Sequence, residues 1–231
     1  MGSTEPCISV VVMAFNEASS IEPVVHELRA TLEEMGKTYE LVIVDDGSTD
    51  NTPLIVDQLV TQYPHLYAIH HPANLGLGSV YRYGFFHTQG EYLTFFPADG
   101  QFPADILKQF YPLTVEADLI LGYLPHQDRS LVANLLSRGE KMLYYCLLGH
   151  LPPFKGVMLI RRSILAEVDL KSQGRGWGIV MELIIRASRG PFRIISVPTE
   201  IRPRMSGRSK VRNLTTILTN FKQAIALRLI L

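Results

Sequence analysis

A Rossmann-like α/β fold, with a mainly parallel sheet flanked by helices, follows from three features of this 231-residue sequence. Short apolar runs rich in β-branched residues alternate with stretches of helical length, at the spacing of βαβ units. The runs are apolar at nearly every position, as strands covered on both faces must be. Acidic, glycine and small polar residues collect directly after the strands, where open α/β sheets bind ligands.

The elements follow in order. Ile8 to Ala14 (ISVVVMA) reads as a buried strand. Asn16 and Glu17 come next, and Ser19 or Ser20 caps a helix running to about Met35. Tyr39 to Val44 is the second strand. Thr52 to Tyr63 is the second helix, with Pro53 suited to its first turn. Leu66 to His70 is a third strand, and Gly76 to Thr88 holds a helix entered through a glycine-rich turn. Tyr92 to Phe96 is a fourth strand, Pro103 to about Thr114 is helical, and Leu119 to Tyr123 is a fifth strand. Beyond it the pattern is less regular. Leu131 to Leu148 reads as a long amphipathic helix, Gly156 to Ile160 as a strand, Gly178 to Ser188 as a helix and Arg193 to Ile201 as a strand. A basic loop from Arg202 to Arg212 and a terminal helix close the chain.

Composition sets the bounds. The chain is 47% hydrophobic and 19% charged, long enough for one large α/β domain and short for two. The formal net charge of +0 conceals a division. Residues 1–128 carry 4 Lys+Arg against 17 Asp+Glu, and residues 129–231 carry 18 against 5. An acidic half suits metal and sugar hydroxyls, and a basic half suits phosphates or an anionic membrane surface. We therefore expect one domain over 1–213, with an acidic half (1–128) and a basic half (129–213). Residues 214–231 form an amphipathic helix that associates with a membrane or begins a membrane region. Cys7 and Cys146 show no metal or redox spacing and fit a reducing compartment. No signal peptide is visible, and no apolar run reaches the roughly 18–20 residues that cross a bilayer. Little aromatic interleaving in the basic cluster, and the acidity of the first half, argue against nucleic acid as a partner.

Chemistry concentrates at the strand ends. Asp45 and Asp46 close the run Leu41-Val42-Ile43-Val44 beside Asn16 and Glu17. Paired carboxylates there need a cation, a ribose or a donor group. One can accept from a uracil or guanine N–H and the other from ribose hydroxyls. Asp50, in the same turn, reads as a cap for the following helix. Asn74-Leu75-Gly76-Leu77-Gly78 lacks the third glycine of the dinucleotide fingerprint and marks a tight turn. In Pro97-Ala98-Asp99-Gly100-Gln101, Asp99 is an ionised oxygen donor and Gln101 offers a carbonyl. With diphosphate oxygens and waters they complete an octahedral Mg²⁺ or Mn²⁺ shell.

Five segments in order carry a resemblance: VVMAFNE, VDDGSTDNT, NLGLGSVYRYG, ADGQFP and Arg204-Met205-Ser206-Gly207-Arg208-Ser209-Lys210. Over roughly residues 7–212 the chain resembles family 2 glycosyltransferases of the GT-A fold, and more narrowly the polyprenyl-phosphate glycosyltransferases of the dolichol-phosphate mannose synthase type. The last segment matches that branch's R-x-x-G-x-S-K loop. The resemblance implies inverting transfer of a hexose from a GDP- or UDP-linked sugar to a polyprenyl phosphate, on the cytoplasmic face of a membrane. It leaves a membrane subunit open. It implies that Asp45, with the backbone near Ala14, Asn16 and Glu17, holds the base and ribose. It places Asp99 and Gln101 on Mg²⁺ or Mn²⁺, and Arg204, Ser209 and Lys210 on the diphosphate or acceptor phosphate. Arg129 and Arg138 fall where such enzymes keep acceptor-side arginines. One departure is Pro97, where the family has the first acid of Asp-x-Asp. Another is Leu151 to Gly156, less polar than the family's turn there. The alternatives are a hydroxyl acceptor, which needs a base such as Asp128 or Glu182, and a non-catalytic nucleotide-sugar or lipid-binding protein.

Overall fold

A computed structural model describes residues 6–125, 148–149, 151–205 and 225–231. One seven-stranded sheet organises them, in the order β3-β2-β1-β4-β6-β5-β7. Its strands are β1 (Ile8–Ala14), β2 (Tyr39–Asp45), β3 (Leu66–His70), β4 (Tyr92–Pro97), β5 (Leu119–Tyr123), β6 (Met158–Arg161) and β7 (Ile194–Pro198). β1, β2, β3 and β4 run parallel, as do β5 and β7. Only β6 is antiparallel, to both β4 and β5. The strand order turns back between β1 and β4, so a ligand crevice belongs at the carboxyl ends of these strands.

The helices are α1 (Ile21–Glu34), α2 (Thr52–Gln62), α3 (Leu77–His87), α4 (Ile106–Phe110), α5 (Arg162–Glu167) and α6 (Gly178–Arg189). Strand side chains alternate between two cores. Val10, Val12, Leu41 and Ile43 pack with α1, α2 and α4 on one face. Val11, Val42, Val44, Leu93 and Phe95 pack with α3 and α6 on the other. α1 buries Ile21, Val24, Val25, Leu28 and Leu32, the stripe that a 3.6-residue period directs at a sheet.

Several expectations are corrected. Ser20 stands at the N-cap of α1, but its hydroxyl donates to Glu17 Oε2 (2.9 Å) and accepts no N–H of the helix. The helix expected over Pro103–Thr114 is α-helical only at Ile106–Phe110, then tightens to a 3₁₀ turn over Tyr111–Val115. Pro112 has no N–H for an α-helical bond, which is reason enough for the change. The strand expected over Arg193–Ile201 stops at Pro198. α5 was not expected, since six residues following a strand without a break show no helical period. The helix expected over Leu131–Leu148 lies outside the described residues apart from Leu148. Leu148 packs with Ile185 and Leu227, and so joins the end of the chain to α6.

Candidate functional site

Register brings the predicted acids to one edge. Asp45 pairs with Ala14 across β1–β2, and Pro97 pairs with Met13 across β1–β4. The ladder extends one bond further on each side, from Asp46 N–H to the Ala14 carbonyl (2.9 Å) and from Ala98 N–H to the Met13 carbonyl (2.9 Å). Asp45, the last residue of β2, and Asp99, two residues beyond β4, therefore flank the end of β1, the two strands lying about 10 Å apart across it.

Asp45 and Asp46 are both buried, 1% and 4% exposed, yet they are occupied differently. Asp46 faces inward. Its Oδ1 accepts from His71 Nδ1 (2.9 Å) and Leu75 N–H (2.9 Å), and its Oδ2 from Asn74 Nδ2 (2.9 Å) and Gly76 N–H (2.8 Å). Four donors fill a carboxylate's acceptor capacity. Asp45 Oδ1 accepts from Ser48 N–H (3.1 Å) and its Oδ2 contacts His70 Nδ1 (2.9 Å), which leaves acceptor capacity on both oxygens. Asp45 lines a cleft of about 410 Å³ with Phe15, Gly47, Ser48, Thr49, Pro53, His70, His71, Pro72, Ala73 and Asn74. That volume lies in the range of small-molecule sites. Gly47 is required there. Its φ is +72°, and a Cβ would stand 2.3 Å from the Ala73 backbone.

The turns around this cleft are knitted together. Asn16, at φ +54°, accepts from Thr49 N–H at its Oδ1 (2.7 Å) and donates its own N–H to Ser48 Oγ (2.8 Å). Glu17 N–H donates to Thr52 Oγ1 (2.8 Å). Asp50 accepts from Thr52 N–H (2.9 Å) and Ala18 N–H (3.2 Å), and so ties the start of α2 to the first turn. Asn16 and Glu17 thus brace the cleft from behind its lining, through bonds to the 48–52 turn.

Asp99, 5% exposed, lies beyond β4. Its Oδ2 meets Arg204 Nη2 at 3.0 Å, and its Oδ1 accepts from Gln101 N–H at 3.0 Å. Residues 202–205, beyond β7, are strapped over this turn. Arg202 N–H donates to the Gln101 carbonyl (2.8 Å), Met205 N–H to the Asp99 carbonyl (3.2 Å), and the Arg202 guanidinium takes both oxygens of Glu27. Gly100, at φ +71°, admits the Met205 side chain, whose sulfur would lie 2.7 Å from a Cβ there.

A third segment closes the site from a distance in sequence. Arg175 donates to the Asn74 carbonyl (2.6 Å) and to its Oδ1 (2.8 Å), and Arg82 donates to the carbonyls of Ser172 and Gly174 (3.3 Å each). Glu182, fully buried on α6, fixes that loop by accepting from Lys171 N–H (3.0 Å), Ser172 N–H (2.7 Å) and Arg186 Nε (2.8 Å). Burial raises the Glu182 pKa, but these donors outweigh it and the net direction is down. Glu182 was a candidate general base. A low-pKa carboxylate with every partner internal does not serve as one.

Of the predicted residues, the structure gathers Ala14, Asn16, Glu17, Asp45 and Asp46 on one side of β1, and Asp99, Gln101 and Arg204 on the other. Ser209, Lys210, Arg129, Arg138 and Asp128 lie outside the described residues. Sequence reasoning missed His70, His71 and Arg175. His70 ends β3 and His71 follows it, and the rule that singled out Asp45 and Asp46 applied to them equally. Gly174-Arg175-Gly176 had only its glycine density as a signal. Among the described residues no group of three or more His, Cys, Asp or Glu is placed to hold a metal. No helix among them is long and apolar enough to cross a membrane.

Comparison with known proteins follows this geometry. Residues 9–169 match the family model for glycosyl transferase family 2. A dolichyl-phosphate beta-glucosyltransferase of Trichomonas vaginalis is 34% identical over 216 residues, which cover 85% of this chain and 64% of that protein. A dolichol-phosphate mannosyltransferase of Pyrococcus furiosus is 26% identical over 218 residues, covering 90% of this chain and 60% of that protein. The chain thus spans a little under two thirds of these relatives. Glucosyl-3-phosphoglycerate synthase from Mycobacterium tuberculosis, crystallised with Mn²⁺, UDP and glucosyl-3-phosphoglycerate, superposes with a TM-score of 0.67 at 20% identity. The match covers 95% of this chain and 80% of that one, and it bears out the GT-A fold expected from sequence.

Proposed function

The chain belongs to glycosyl transferase family 2, and from that premise we propose that it moves a hexose from a nucleotide-diphospho-sugar to a polyprenyl phosphate at the cytoplasmic face of a membrane. The observation that carries this reading is the placement of two groups about the end of β1, a cleft lined by Asp45 on one side and the Asp99–Arg204 pair on the other. The names of the two dolichol-linked relatives support the acceptor class.

In this reading Asp45 accepts from the base or ribose in the 410 Å³ cleft. Asp46 holds the 74–76 turn that walls it. Arg204, with Ser209 and Lys210, takes the diphosphate or the acceptor phosphate. A lipid phosphate is already an oxyanion near neutral pH, its second pKa being about 6. It needs no strong base, which agrees with the engagement of Glu182. Rate then comes from alignment of the phosphate with the anomeric carbon and from fixed positive charge near the leaving diphosphate. Displacement in one step inverts that carbon.

Asp99 fits a divalent cation as a single hard ligand. Its carboxylate already attracts a guanidinium, and Mg²⁺ bound to a diphosphate takes one or two protein carboxylates. Pro97 supplies no second one. Asp99, with Gln101 beside it, would hold Mg²⁺ or Mn²⁺, which supplies neutralisation of charge on the departing diphosphate.

The test is transfer from radiolabelled UDP- and GDP-sugars to a polyprenyl phosphate in detergent, with Mn²⁺ or Mg²⁺. A labelled lipid product with one donor class supports the reading. Nucleotide-sugar binding without transfer to phosphate or hydroxyl acceptors supports the binding-protein reading that Pro97 favours.

A further inference from the structure

His70 ends β3 with each ring nitrogen facing a carboxylate. Nδ1 lies 2.9 Å from Asp45 Oδ2, and Nε2 lies 3.2 Å from Asp57 Oδ1 on α2. Ionised carboxylates only accept. A neutral imidazole offers one N–H and one lone pair, so it satisfies one of these contacts and sets a lone pair against the other. Imidazolium donates to both. Asp45 is buried and Asp57 is 67% exposed, so the ring links the floor of the cleft to solvent-facing α2.

We propose that His70 is the positioning residue of the donor cleft: an imidazolium clamped between Asp45 and Asp57 that orients the Asp45 carboxylate, so that nucleotide-sugar binding weakens when the ring loses its proton. This rests on the reading of the cleft as the donor site. Ser48 N–H on Oδ1 and His70 on Oδ2 together fix the carboxylate plane, leaving one acceptor direction on each oxygen for a base or ribose. The positive ring also offsets the Asp45 charge where a dianionic donor must approach. Its loss weakens the first effect and reverses the second.

The charged surroundings of the ring are few. β2 contributes Asp45 and α2 contributes Asp57, the one titratable side chain of that helix. The 46–51 turn carries Asp46, which bonds His71, and Asp50, which bonds Thr52 and Ala18. Burial lowers the His70 pKa, but the bonds and charges of Asp45 and Asp57 outweigh it, so the net direction is up from 6.5. A raised value means the clamp is complete below pH 6.5 and is lost as pH rises through the folded value.

The experiment uses UDP-glucose and GDP-mannose, whose diphosphate esters carry no proton that titrates in this range. Their dissociation constants are measured from pH 6 to 8 by calorimetry, below the range in which the uracil or guanine N–H ionises. The His70 ring is followed in parallel by ¹⁵N NMR of the free protein. Wild type should show both ring nitrogens protonated at pH 6.5, and affinity falling about fivefold across the ring's midpoint, the difference between a charged and a neutral hydrogen bond. Asp57→Asn should lower the midpoint of both curves by about half a pH unit. Asp57 touches His70 and not His71, so this shift separates the two rings. His70→Gln should give a flat affinity profile. A ring already neutral at pH 6.5, or a midpoint unmoved in Asp57→Asn, overturns the clamp. A titrating ring with flat wild-type affinity overturns its coupling to the donor. No binding of either sugar nucleotide at any pH overturns the donor-site reading and the coupling with it, while the NMR midpoints still decide the clamp.

Discussion

Asp99 and Arg204 stand as competitors and collaborators at once. At 3.0 Å, with the acid 8% and the arginine 23% exposed at their side chains, the pair is partly shielded from solvent. Any divalent cation that takes Asp99 Oδ2 must compete with the guanidinium. On the proposed reading, a cation on Asp99 would release Arg204 to meet a phosphate. Arg204→Met should therefore tighten Mn²⁺ binding to the nucleotide-free protein by about tenfold, the equivalent of one charge-assisted hydrogen bond. The same change should slow transfer. Asp99→Asn should remove Mn²⁺ binding and transfer together, yet leave part of the nucleotide-sugar affinity, because the Asp45 cleft is untouched. Electron paramagnetic resonance of free Mn²⁺ reads the first effect directly. An unchanged Mn²⁺ affinity in Arg204→Met would show that the ion pair does not oppose the metal.

The same logic applies to whole elements, where one buried group ties a loop to a helix. α6 buries Ile179, Val180, Leu183, Ile184 and Ala187 against the sheet. Glu182 points the other way, into the backbone of Lys171 and Ser172. That bond holds the 170s loop, and the loop carries Arg175 to Asn74 at the cleft. The folded pKa of Glu182 lies below its ordinary 4.5 despite the burial that raises it, because the amides and Arg186 favour the anion. Its stabilisation is thus present above pH 4.5 and is lost as pH falls through the depressed value. Glu182→Gln should lower Tm at pH 7 and flatten the decline of Tm below pH 4.5, as calorimetric scans against pH would show. Parallel acid branches in mutant and parent would contradict this. The strands were legible in the sequence because β1, β2 and β4 are largely apolar runs of strand length, set at βαβ spacing. Asp45 and Asp46 were legible as a site, but not as two different things. The donors that fill Asp46 come from residues 71 to 76, and Arg175 reaches Asn74 across 101 positions. No local pattern encodes such pairings. α6 shows a helical period, and the loop it anchors shows none.

At the scale of the molecule, a net charge of zero describes two opposed halves. The acidic half supplies Asp45, Asp46 and Asp99, and the basic half supplies Arg175, Arg202 and Arg204. Two cations of the cluster at 202–212 are already committed, Arg202 to Glu27 and Arg204 to Asp99. Arg208, Lys210 and Arg212 lie outside the described residues and remain candidates for an anionic surface. The end of the chain packs on α6 through Leu227, and Arg186 Nη2 donates to the Ile230 carbonyl at 3.0 Å. Leu229 projects outward, 82% exposed. Basic residues close to an anionic leaflet contribute roughly 1 kcal/mol each, and salt screens that attraction over about 10 Å at 0.1 M. Three such charges set an upper expectation of about hundredfold in vesicle affinity. Replacing Arg208, Lys210 and Arg212 together by Gln should therefore weaken sedimentation with phosphatidylglycerol vesicles strongly at low salt and little at high salt. Neutral phosphatidylcholine vesicles should bind weakly in both proteins. Replacing the exposed Ile225 and Leu229 together by Ser tests the apolar contribution separately, because Lys222, Arg228 and the buried Leu227 stay in place. If the triple variant binds as the parent does and the variant with Ile225→Ser and Leu229→Ser does not bind, attachment is apolar, and the segregated charge serves the substrates alone.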